Sequence, residues 1–140
     1  MAFQNIRNVI KAKLETITSI QAVMDFPTDT FTGYPSVMVT STRNEADFNT
    51  TQENARIYVF TLYIMQETKV LGEQKSRRII EGVVDDILDA FDNDQFLTGV
   101  VLPDTETMII SLPALAQIYN DEKYTIGQME IKVKTQFKIV

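Results

Sequence analysis

The chain has no cysteine and no histidine among its 140 residues. The first absence excludes a disulfide scaffold, thiolate zinc sites and thiol nucleophiles. The second removes the usual general base, the Ser-His-Asp triad and nearly all catalytic zinc chemistry. Glycine is sparse as well: its five copies stand singly, so no glycine-rich loop is available to cradle phosphate. No strand-to-helix nucleophile elbow of the G-x-S-x-G type occurs. Positive charge is in deficit, with 13 Lys and Arg against 19 Asp and Glu, a net −6. A sequence-independent grip on duplex phosphate needs clustered cations, so this balance argues against one. No apolar run approaches the roughly 18 residues of a membrane span, and the N-terminus lacks a signal-peptide core. The expectation is a protein made and used in a cytoplasm, without a membrane. Asn49-Thr50-Thr51 fits the glycosylation pattern, but without an export signal it reads as a polar loop.

What remains is an ordinary single-domain composition over residues 1–140, 44% hydrophobic and 23% charged. A chain of this size buries roughly 68–70% of its unfolded surface and needs no metal or disulfide to fold. The strongest local pattern is a long helix from about Glu73 to Asp92, with Gly72 near its N-cap. Ile79, Val83, Ile87 and Phe91 form one apolar ridge beside Ile80, Val84 and Leu88, which fills one helical face. Opposite lie Asp85, Asp89 and Asp92, with Asp86 on the shoulder. A polar outer face is what any helix covering a sheet requires. Three details exceed that requirement. The carboxylates crowd the C-terminal half, where the macrodipole favours Lys or Arg. Asp85 and Asp89 form a like-charge i,i+4 pair. Gly82 stands on the same outer face, where it costs about 1 kcal/mol relative to Ala.

Before this helix, Phe3, Ile6, Val9, Ile10, Leu14 and Ile17 recur at helical spacing over about residues 3 to 17. Ile20 to Phe26 alternates as a short strand ended by Pro27. Gly33-Tyr34-Pro35 pivots into a second strand over about Ser36 to Thr42. Arg43 to Asn54 holds only Ala46 and Phe48 as apolar members and no Gly or Pro, so it reads as a polar loop protruding over about 43–55. Such a loop is either solvated or an arm that orders against a partner, with Phe48 as the anchor. Arg56 to Met65 carries Tyr58, Phe60, Leu62 and Ile64 on one face and Ile57, Val59, Tyr63 and Met65 on the other. A strand apolar on both faces is central or covered on both sides.

After the long helix, Asp92-Asn93-Asp94 opens like a calcium loop, but Leu97 stands where that loop needs glycine, and no glutamate follows at its twelfth position. Thr98 to Pro103 is a connector. Met108 to Tyr119 is a strand in which Pro113 forces a bulge or an edge position. Asn120 to Lys123 is a hairpin turn. Tyr124 to Val140 then alternates, with Met129, Ile131, Val133, Phe137 and Ile139 facing the core, and Lys132, Lys134 and Lys138 facing away. Those lysines are simply solvated, protect an edge, or complement an acidic stripe on a neighbouring copy. The expected fold is α+β: a mixed, mostly antiparallel sheet of about five strands packed against two helices. Catalysis by Asp85, Asp86 or Asp89 would require burial, and the pattern places them in solvent.

Three segments carry a family resemblance. Gly33-Tyr34-Pro35-Ser36-Val37 leading into a strand, Arg56-x-Tyr58-x-Phe60 after the polar segment, and Val84 to Asp92 together resemble the tail terminator, or tail-completion, proteins of long-tailed bacteriophages with non-contractile tails. The resemblance spans nearly the whole chain in order. It implies a non-enzymatic virion protein without cofactors, assembled in the host cytoplasm into a ring, usually hexameric, at the head-proximal end of the tail. Such a ring stops tail-tube polymerisation and presents a surface to the head-completion or connector protein, with DNA only passing through its lumen. On this reading Asp85, Asp89, Asp92, Lys132, Lys134 and Lys138 line the lumen or the subunit interface. Arg43, Phe48 and Arg56 contact the tail tube protein or a neighbouring subunit. The alternatives are another head–tail connector such as a stopper or adaptor, a non-enzymatic oligomeric binding module, and last a carboxylate enzyme.

Overall fold

The segment that is apolar on both faces and the alternating C-terminal segment lie side by side. In the computed structural model, which describes residues 2–24, 33–48, 53–94, 97 and 106–138, β3 (Glu53–Glu67) and β5 (Tyr124–Lys138) pair antiparallel from Glu53↔Lys138 to Glu67↔Tyr124. β2 (Ser36–Phe48) flanks β3 antiparallel, and β1 (Ala22–Met24) adds to β2 in parallel. β4 (Glu106–Asn120) closes the other side against β5, giving the order β1-β2-β3-β5-β4. The sheet is therefore mixed and mostly antiparallel, with five strands. Helices α1 (Ala2–Glu15) and α3 (Glu73–Asp92) cover it, and the single turn α2 (Thr68–Leu71) links β3 to α3. This is the expected α+β architecture.

Alternation decides which face is covered. Tyr58, Phe60 and Leu62 lie across from Val133, Ile131 and Met129, so one side of the central strands is continuously apolar. Ile6, Ile10 and Leu14 of α1 join Ile80, Val83, Val84, Ile87 and Phe91 of α3 in the same buried cluster. Both helices thus sit on one face of the sheet. Each such side chain contributes about 1.5–3 kcal/mol on burial. Phe3 adds two edge-on ring contacts, 4.9 Å to Tyr58 and 5.7 Å to Phe60.

Gly72 sets the start of α3. Its φ of 82° lies in the left-handed region that side chains disfavour, and its carbonyl accepts the Ser76 N–H at 3.1 Å. Gly127 sets how closely the helix lies on the sheet, because it faces Ile80 directly.

One reading from sequence needs correction. Residues 43–48 are not loop. β2 continues through them, with Arg43↔Val59, Ala46↔Arg56 and Phe48↔Asn54 in register after a shift between Ser41 and Arg43. Polar residues alone do not prevent pairing when a partner strand offers its backbone groups, so the protruding loop becomes a hairpin whose residues 49–52 lie outside the described residues. The same holds for Asn49-Thr50-Thr51 as a polar loop and for the 98–103 connector. β3 meets the sequence reading as a central strand. Among the described residues helices cover only one of its faces. Pro113 behaves as expected: β4 is an edge strand, with register shifts at Met108/Ile110 and Leu115/Gln117.

Candidate functional site

The acidic surface follows from the seating of α3. With Ile80, Val83, Val84, Ile87 and Phe91 buried, the helical period turns Asp85, Asp89 and Asp92 into solvent, and all three are exposed. No basic residue occupies the last turn of α3. Its dipole and carboxylates are compensated instead from α1 and the segment after it. Lys13 Nζ lies 2.9 Å from Asp94 Oδ2 and 5.7 Å from the centre of the Phe91 ring, and Ser19 Oγ donates to Asp86 Oδ2 at 2.6 Å. Neither tie was legible in the sequence, because nothing in the pattern of α1 aligns its register with that of α3. Asp85, Asp89 and Asp92 form no ion pair among the described residues. They also lack the burial on which acid–base catalysis by a carboxylate relies. Among the described residues no group of three or more acidic side chains could hold a metal ion.

The basic surface is on the opposite side, the face of the sheet without helices. Lys132 lies across from Val59 and Lys134 across from Ile57, both lysines half-buried. Arg43 Nη1 reaches Glu130 Oε2 at 3.3 Å, spanning β3 from β2 to β5. That bridge passes over Val59 and Thr61, which are buried although no helix covers them. Leu112, across from Lys132 on β4, is 51% exposed. This face therefore combines cations with uncovered apolar surface. Lys138 is placed only by its backbone pairing with Glu53; its side chain lies outside the described residues.

The proposed contact residues Arg43, Phe48 and Arg56 are not brought together. Arg43 shares the open face with Val59, whereas Arg56 alternates with Tyr58 toward the helix side. The Arg56 carbonyl accepts from Thr135 Oγ1 at 3.5 Å. Phe48 sits near the tip of the hairpin, and its side chain lies outside the described residues.

One feature carried no sequence signal beyond the Gly33-Tyr34-Pro35 pivot, whose Tyr34–Pro35 bond is cis. Tyr34 Oη donates to Tyr124 Oη at 3.3 Å, with ring centres 5.9 Å apart. Burial, then this hydrogen bond, pushes the Tyr34 pKa up to about 12. Tyr124 also borders an open groove with Glu67, Thr68, Lys69, Glu122 and Lys123. The β4–β5 turn beside it is held by Asp121 Oδ1, which accepts the N–H of Lys123 at 2.8 Å and of Tyr124 at 2.7 Å. Among the described residues the groove offers mixed charge and no nucleophile–base pair.

No protein-family model and no curated protein matches the chain. A solved structure does resemble it: a chain in the virion of native gene transfer agent (GTA) particle. That likeness covers 99% of this chain and 92% of the other, with a TM-score of 0.51 and 12% sequence identity. What the two chains share at that identity is the fold.

Proposed function

We propose that this protein is a virion structural component, and specifically a tail terminator. Copies of it form a ring that caps the tail tube, stops its growth and joins it to the head, with DNA passing through the lumen. The observation that carries the virion reading is the shared fold, which extends over nearly the whole length of both this chain and the gene transfer agent chain. The terminator reading adds the three resembling segments, which occupy structurally distinct places: the start of β2, the middle of β3 and the C-terminal half of α3.

Physical features support a ring. The acidic face of α3 and the basic open face of the sheet lie on opposite sides of the molecule, so contact between them is head-to-tail and closes when the rotation permits. The exposed apolar surface beside Lys132 suits burial by a neighbour. An acidic lumen would not retain DNA, since like charges repel across a Debye length of about 8 Å. Asp85, Asp89 and Asp92 either line that lumen or meet Lys132, Lys134 and Lys138 of the next copy. Phe48 and the Arg43 end of the hairpin reach the tail tube or a neighbour.

Native mass spectrometry of Lys134→Glu at several salt concentrations separates the two placements. A smaller or more salt-sensitive oligomer supports the lysine contact. Unchanged oligomer size and salt response remove it and leave the lumen placement.

A further inference from the structure

The outer line of α3 is a seam of charge broken by a glycine. Lys75, Arg78, Gly82, Asp85, Asp89 and Asp92 follow one another at spacings of three, four, three, four and three, so they stand in one line along the helix. All six are exposed. Among the described residues none of the five charged members forms an ion pair; the one ion pair within α3, Arg77 to Glu81 at 3.3 Å, lies beside the seam. The charges divide by position, with cations before Gly82 and carboxylates after it. At the ends of the seam, Lys75 near the N-terminus and Asp89 and Asp92 near the C-terminus oppose the helix's own dipole, with which only Glu73 in the first turn accords. At the midpoint, a Cβ added to Gly82 would meet nothing within 4 Å. The fold of the single chain therefore has no steric need for glycine there, and glycine disfavours an exposed helix interior.

We infer that this seam is a docking surface for the same seam of a second copy, the two α3 helices running antiparallel and crossing at Gly82. The argument is charge complementarity. With a two-fold axis at residue 82, Lys75 of each copy falls opposite Asp89 of the other, and Arg78 falls opposite Asp85 and Asp86. The antiparallel neighbour also brings an opposed dipole, so charges that oppose their own helix favour the partner's. Glycine at the crossing lets the two backbones approach closely. The contact is isologous, a class distinct from the head-to-tail contact proposed above. It requires only a second copy and stands without the virion reading. Paired copies withhold Asp85 and Asp89 from a lumen and from Lys134 alike, so the pair is a state of the free protein that must open before those residues take either place in a ring.

The chain lacks cysteine, so Gly82→Cys introduces a single thiol into the full-length protein. A two-fold axis at this position brings the two thiols within disulfide reach, about 4.4–6.8 Å between Cα atoms. A head-to-tail contact does not place residue 82 against itself. Oxidation should convert most of the folded protein to a covalent dimer on a non-reducing gel. Sedimentation equilibrium of the unmodified chain and charge variants is the second measurement. Lys75→Glu should weaken dimerisation about tenfold or more at low salt, and Lys75→Glu combined with Asp89→Lys should restore it. Absence of the cross-link in folded protein overturns the inference, as does dimerisation indifferent to both charge variants. Lys134→Glu should leave the cross-link intact, so this contact and the lysine contact fail separately.

Discussion

A Cβ placed on Gly127 would lie 2.6 Å from Cγ2 of Ile80, closer than real Cβ contacts come. The two residues define where α3 rests on β5, with Ile64 on the neighbouring strand also within 3.6 Å of the added atom. Gly127→Ala should therefore force the helix outward or Ile80 off its rotamer, costing about 1–3 kcal/mol. Chemical denaturation followed by circular dichroism reads this directly; an unchanged midpoint would show that the helix is not seated so closely.

Gly82 is the opposite case on the same helix. Its outward side is open, so Gly82→Ala should raise the stability of the monomer by about 0.5–1 kcal/mol. The same denaturation experiment, run at low protein concentration to keep copies apart, checks the sign. A loss of stability would mean that the monomer itself uses the bare backbone at this position.

The tie between Lys13 and Asp94 anchors α1 to the end of α3. Both side chains are mostly shielded, at 18% and 27% exposure, and the lysine supplies the cation that the last turn of α3 lacks. Lys13→Met should cost about 1 kcal/mol, with the difference from the parent shrinking as salt rises. Denaturation midpoints at low and high ionic strength test both parts.

Tyr34 binds its proton more tightly in the folded state, where its pKa rises from 10.0 to about 12. Its contribution to stability is therefore fully present below pH 10 and is lost as the pH climbs through about 12. Tyr34→Phe should be less stable than the parent at neutral pH, where it lacks the hydrogen bond to Tyr124, and should lose less stability between pH 10 and 12. Parallel curves for the two proteins over that interval would contradict the account.

Much of this architecture was legible because it rests on period. The α3 ridge, the alternation of β5 and the edge role of Pro113 each follow from side chains that must be buried or backbone groups that cannot pair. The extension of β2 through Phe48 was not legible, since its residues are polar and the pairing depends on where β3 presents its backbone. The β4–β5 hairpin was legible from its turn, but the pairing of β5 with β3 depends on contacts far apart in sequence, and the parallel pairing of Val23 with Val37 on the path of the chain between them. The candidate site divides the same way. Exposure of Asp85, Asp89 and Asp92 follows from helical phase alone. The Arg43 bridge to Glu130 and the separation of Arg43 from Arg56 require knowing which strands are neighbours and how β2 shifts its register.

Electron microscopy of the purified protein mixed with tail tubes tests the central claim most directly. The proposed function predicts rings seated at one end of each tube and tubes that no longer lengthen when more tube protein is added. Bare tube ends and unchecked elongation at saturating protein would contradict it.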